Sequence, residues 1–227
     1  MDFLTLCQET ARDSGIVAGL PSLTTVAGAT GRIAQLVGWV RDAWIDIQNE
    51  REDWLWMQRR FTASLTASSS TYSAASLGLS RVGRWDTGRP SFRPMWIYDP
   101  ATGQSDENDI PFIPYDSWMK TYERGAHDES RPTCWSISPQ NELLFGPVPD
   151  KAYTIRGGYT LAAQELTADS DEPEMPSQYH RVIIAEAIAL VSRSDEVIET
   201  LTTYKGQYDR LRSALVNSQT NTPGPLP

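Results

Sequence analysis

Two cysteines and two histidines are all that this chain of 227 residues offers to thiol or imidazole chemistry. Cys7 and Cys134 stand far apart and Cys7 falls within an amphipathic pattern, so both read as buried free thiols, which fits a reducing compartment. His127 and His180 are isolated, with no helical pair of histidines and no paired cysteines, so no clustered metal site is expected. Each reads as an ordinary surface or capping residue. Positive charge is scarce as well: 20 basic residues face 29 acidic ones, for a net charge of −9. A surface of that sign repels polyanions, which disfavours a conventional DNA or RNA binder. No apolar run is long enough to cross a bilayer. Met1 to Arg12 carries Asp2, Glu9 and Arg12, so it reads neither as a signal peptide nor as a spanning helix, and the protein is expected to be soluble when made, with no membrane partner.

The glycine motifs of phosphate and acyl chemistry are missing too. Gly28-Ala29-Thr30-Gly31-Arg32 lacks the spacing and the lysine of a phosphate cradle and reads as a glycine-containing helix start. Gly78-Leu79-Ser80-Arg81-Val82-Gly83 misses the nucleophile-elbow spacing by one residue. Asp169-Ser170-Asp171-Glu172 begins like a calcium loop, but Pro173 follows and the turning glycine is absent. A glycosidase pair could be drawn from so many carboxylates that their number has no diagnostic weight. The chain therefore reads as non-enzymatic, with no catalytic, cofactor-binding or metal-binding residue and no cofactor.

What the chain does have is apolar and aromatic surface: 40% hydrophobic residues, with 8 Trp, 9 Tyr and 5 Phe, ample for a core. Near its end Ile183, Ala187 and Leu190, then Val197, Leu201, Tyr204, Tyr208, Leu211 and Leu215 form a helical stripe. Ser194 occupies the one vacant slot, and Ser192 to Glu196 resembles a helix start, so two helices are expected. A partner stripe lies at the other end, on Ile33, Leu36, Val37, Val40, Trp44, Ile47 and Leu55. Thr30 is the expected cap of that helix, which would run about thirty residues, roughly 45 Å, and carry Trp54 and Trp56 at its charged far end. Before it, residues 2 to 13 read as a short helix capped by Asp2 and stopped by Gly15.

From Phe61 the period changes to two, with Phe61, Ala63, Leu65 and Ala67 on one face of a strand. Further strands are expected at Thr133 to Ile137, Glu142 to Phe145 and Ala152 to Tyr159, with a helix at Tyr115 to Arg124. Trp85, Trp96, Trp118 and Trp135 would supply most of the apolar area of this middle part. Asp169, Asp171, Glu172 and Glu174 form an acidic linker whose charge suits a following helix N-terminus. The expected fold class is α+β: a helical bundle formed by residues 1–60 and 169–217, a β-rich domain with one short helix inserted over 61–168, and a flexible tail at 218–227.

Several stretches resemble head-to-tail adaptor proteins of tailed bacteriophages. They are Asp2-Phe3-Leu4-Thr5-Leu6-Cys7-Gln8, Thr24-Thr25-Val26-Ala27-Gly28 and the helix from Arg32 through Trp44 to Trp54-Leu55-Trp56-Met57. Phe112-Ile113-Pro114-Tyr115-Asp116, Leu143 to Asp150 and Glu174-Met175-Pro176 with Tyr179-His180 extend the likeness over nearly the whole chain. The resemblance implies a structural protein of the virion neck, made in the bacterial host cytoplasm. It further implies a ring, commonly of twelve copies, that docks under the portal protein, meets tail or stopper proteins and passes genomic DNA without sequence-specific binding. The Pro-rich end, with Asn217, Asn221, Pro223, Pro225 and Leu226, is the expected portal-docking segment. A virion-associated glycan-binding or glycan-cleaving protein and a tail terminator or stopper are the alternative readings.

Overall fold

The computed structural model describes residues 1–15, 23–87, 95–125, 127–194 and 198–219. In chain order its elements are α1 (Phe3–Ser14), α2 (Gly31–Asn49), β1 (Gln58–Leu65), β2 (Thr71–Tyr72), β3 (Val82–Trp85), β4 (Met95–Tyr98), β5 (Asn108–Ile110), α3 (Tyr115–Trp118), β6 (Cys134–Ile137), β7 (Leu143–Gly146), β8 (Tyr153–Leu161), α4 (Arg181–Ser194) and α5 (Ile198–Gln219). The class is mixed helix and sheet, α+β. The chain divides into two compact units, one of Met1–Met57 with Ala163–Pro227 and the other of Gln58–Ala162.

In the helical unit α1 begins and ends as its sequence dictates. The Asp2 carboxylate accepts the Thr5 N–H at 2.8 Å, and Gly15 takes the left-handed φ of 69° that closes the helix. Two more of its orphan donors, the N–H groups of Phe3 and Leu4, go to the carbonyls of Asp171 and Asp169 at 2.8 and 3.1 Å. The acidic segment therefore straps α1, rather than leading by its charge into the C-terminal helices. Its side chains are also in use. The Asp169 carboxylate accepts the Val26 N–H at 2.6 Å, and that of Asp171 accepts the Ala168 and Thr167 amides, which hold it below the usual carboxylate range.

Helix α2 is shorter than its apolar pattern predicts, 19 residues in place of about thirty. Thr30 has extended backbone but makes no side-chain cap bond. The helix stops where Glu50, Glu52 and Asp53 gather at its C-terminal end, the end at which the macrodipole disfavours anions. There the Trp54 indole folds back and donates to the Ile47 carbonyl at 2.8 Å. Trp54 and Trp56 stack at 4.3 Å and belong to the core of this unit, along with Phe3, Trp44, Leu166 and Met175.

The C-terminal stripe is two helices, and α4 is apolar around most of its girth. Val182, Ile183, Ile184, Ala187 and Ile188 are all buried, because α1, α2 and α5 pack around this one helix. On α5 Leu215 is buried, with Tyr208 and Leu211 half-buried; Val197 and the side chains of Leu201 and Tyr204 lie outside the described residues. Burial, followed by a hydrogen bond to Glu186, pushes the Tyr208 phenol well above its ordinary pKa.

His180 corrects a sequence expectation. It is 2% exposed, with Nδ1 2.9 Å from the Met1 amine and Nε2 3.0 Å from the Met175 carbonyl. The carbonyl requires a donor at Nε2, so Nδ1 accepts from the ammonium. Desolvation lowers the imidazole pKa from 6.5, and the nearby ammonium adds to this, while the Met175 carbonyl and Glu172 oppose it. A lowered histidine pKa means that the unfolded chain takes up the proton first. Stability from this site is complete above about pH 6.5 and declines as pH falls toward the folded-state pKa. Melting temperature is therefore expected to drop as pH falls below about 6.5. His180→Asn should flatten that slope, and an unchanged slope in the variant would refute the assignment.

The second unit holds two antiparallel sheets, one ordered β1-β8-β4-β5 with β3 also on β8, the other β2-β7-β6. Alternation in β1 points Phe61 and Leu65 into a core shared with Trp85, Ile97, Trp135, Phe145 and Ile155. The strand starts at Gln58, ahead of the expected Phe61, and thus includes Arg59 and Arg60. Trp85 donates from Nε1 to the Asn141 carbonyl at 2.9 Å, in a hairpin turn where Asn141 adopts φ 62°. The helix expected at Tyr115 to Arg124 is a single α turn continued by a π turn, Met119–Glu123. Tyr122 of that turn lies on Gly146 so closely that a Cβ there would come within 2.5 Å of the ring. Of the four tryptophans expected to fill this core, Trp85, Trp118 and Trp135 are buried, but Trp96 lies half-buried on the opposite face of its sheet.

Candidate functional site

Of the residues expected to dock the portal, Asn217 is described, and it is an exposed residue in the last turn of α5. The helix therefore continues past the expected tail boundary to Gln219. Asn221, Pro223, Pro225 and Leu226 lie outside the described residues. The end of α5 is well fastened. Leu215 is buried in the helical core, and the Arg212 guanidinium pairs with the Glu50 carboxylate beyond α2.

A second feature arises from cross-strand register and is invisible in any one segment. Thr62 on β1 faces Arg156 on β8, and Arg156 faces Trp96 on β4. These side chains, with Arg60, Phe61 and Gly157, line a shallow cleft of about 120 Å³ on the outer face of the larger sheet. The Arg156 guanidinium sits over the Trp96 ring at 5.9 Å and pairs with Glu107 at 3.1 Å. Arg60 is exposed and has no side-chain partner among the described residues. Arg60 and Arg156 beside an indole plane, with threonine and backbone for the rest of the wall, are donor types that pair with carboxylate or phosphate oxygens, and Arg156 already spends part of its guanidinium on Glu107. The alternation of β1 carries the one sequence signal for it, since Arg60 and Thr62 fall on the face away from Phe61 and Leu65.

The other charged cluster of this unit is already satisfied. Arg131 donates to Asp106 at 2.7 Å and to the Ile97 carbonyl at 2.8 Å, while Lys151 pairs with Asp99 at 2.5 Å. The Lys151 bond, then the Ala101 amide, lower the Asp99 pKa; the Asp99 amide, then Arg131, lower that of Asp106. Carboxyls held ionised in this way are ion-pair partners and lack the raised pKa of a general acid. Both thiols are buried: burial pushes Cys7 up to about 12 and raises Cys134 as well, so neither is a ready nucleophile. Among the described residues no group of three metal-ligating side chains converges, and no helix is long and apolar enough to cross a membrane.

No curated protein matches the chain. The family model of the SU10 adaptor protein, in contrast, matches residues 1–226. With essentially every residue inside that match, the chain belongs to the SU10 adaptor protein family, a family of bacteriophage adaptors.

Proposed function

We propose that this protein is a non-enzymatic structural component of the virion neck, a head-to-tail adaptor. Twelve copies form a ring under the portal protein and extend the DNA channel to the tail or stopper proteins. The observation that carries this reading is the family match over residues 1–226, which spans both the helical and the β-rich unit. In the ring, residues 1–60 and 169–217 act as a helical bundle and 61–168 as an inserted domain. The segment from Asn217 through Asn221, Pro223, Pro225 and Leu226 docks on the portal.

Acidity has a use in such a channel. A ring of twelve chains, each of net charge −9, carries on the order of −100, and a bore lined with part of it repels DNA phosphates and limits sticking of the passing genome. Negative-stain images of the purified protein, alone and mixed with portal protein, are expected to show rings and portal-bound rings respectively. Monomers in both samples would refute the reading.

A further inference from the structure

The two units differ sharply in charge. Within residues 58–162 eleven acidic and eleven basic residues cancel, so the whole net charge of −9 falls on the helical unit. On α2 part of it is displayed in a row. Asp42, Asp46 and Glu50 recur every fourth residue, share one helix face and are all exposed. Glu50 is paired with Arg212, whereas Asp42 and Asp46 have no side-chain partner among the described residues.

This row violates two rules of helix stability at once. Like charges four residues apart repel, and Asp46 stands in the last turn of α2, where the macrodipole disfavours an anion. A helix on which Arg212 offsets Glu50 but no described side chain offsets Asp42 and Asp46 is suited to a cationic partner at those two positions, because breaches of local rules gather at functional positions. The sheet-face cleft has the complementary chemistry. Arg60 has no side-chain partner there among the described residues, and Arg156 and Trp96 form the wall.

We propose that the cleft at Arg60, Arg156 and Trp96 receives a carboxylate from the Asp42–Asp46 face of α2 in a second copy of this chain. The donor and acceptor surfaces differ, so the contact is heterologous: each copy offers one and fills another, the geometry that closes a ring when the rotation permits. The inference rests on the ring reading above and adds the surface through which neighbours meet. It also makes assembly weaken with salt, since the charges that pair are exposed. Duplex DNA is the competing occupant of an arginine cleft, but the unit that carries the cleft has no net positive charge and the chain as a whole carries −9, which disfavours a polyanion.

The test is sedimentation velocity over a concentration series with the wild type, Arg60→Glu, Asp46→Lys and the double variant. Each single charge reversal is expected to raise the concentration for half-assembly by about tenfold or more, and the double variant to recover to within about threefold of wild type. Both positions are exposed, and far-UV circular dichroism checks that the variants fold. If a reversal unfolds the chain, Arg60→Ala, Asp46→Ala and their double variant measure the coupling instead. Single variants that assemble like wild type would overturn this contact and leave the ring reading standing. Loss in both singles without recovery in the double would overturn the pairing. A change in Arg60→Glu confined to duplex-DNA retention would reassign the cleft to phosphate. A wild type that stays monomeric, alone and with portal protein, would overturn the ring reading and this contact with it.

Discussion

Trp54→Ala is expected to lower the unfolding free energy by about 3–5 kcal/mol, a large share of the total for a domain of this size. The indole is fully buried, and the area it removes from water is the largest part of the effect. Truncation leaves a cavity beside Trp56, whose ring loses its partner at 4.3 Å. It also strips the donor from the Ile47 carbonyl, one of the four carbonyls that the end of α2 cannot satisfy internally. Trp54→Phe keeps most of the bulk and loses that bond, so about 1–2 kcal/mol is expected for it. Urea unfolding followed by circular dichroism separates the two, and a midpoint unmoved in Trp54→Ala would show that α2 needs no such clamp.

Removing residues 220–227 is expected to leave the unfolding midpoint unchanged and to weaken portal joining by about a hundredfold or more, roughly 3 kcal/mol of binding. The fold should tolerate the cut because α5 is held upstream of it, by Leu215 in the core and by Arg212 on Glu50. The binding loss follows from composition. Pro223, Pro225 and Pro227 cannot continue a helix and have few conformations to lose, which lowers the entropic cost of lying along a groove. Asn217→Ala, an exposed change within α5, serves as the comparison that separates helix end from tail. Cosedimentation with portal particles reads both, and full joining by the truncated chain would remove the tail from the docking surface.

Features set by near neighbours in sequence were legible, and those set by distant ones were not. Asp2 and Gly15 bracket α1 in the structure as in the sequence because cap and stop act over three or four residues. The length of α2 was misread because its end depends on a tryptophan returning from seven residues on. The central place of α4 was hidden for the same reason. One apolar stripe implies one partner, but three helices surround it. His180 gave no signal at all, since its burial comes from Met1 and Met175 converging on its ring. The sheet-face cleft was out of reach because Thr62, Arg156 and Trp96 become neighbours only through strand register. For the segment proposed to dock on the portal, composition alone speaks, and Asn217 lies on a helix that outruns the apolar stripe announcing it.

The tie between Phe3, Leu4 and the carbonyls of Asp171 and Asp169 imposes an order on biosynthesis. Residues 58–162 are contiguous, so this unit is complete in the nascent chain as soon as Ala162 has left the ribosome. The opening helix must wait for more than 160 further residues before its first two amides find their acceptors. Translation thus supplies every residue of the sheets before it supplies α4, the helix on which the core around Phe3, Leu6 and Trp44 is completed.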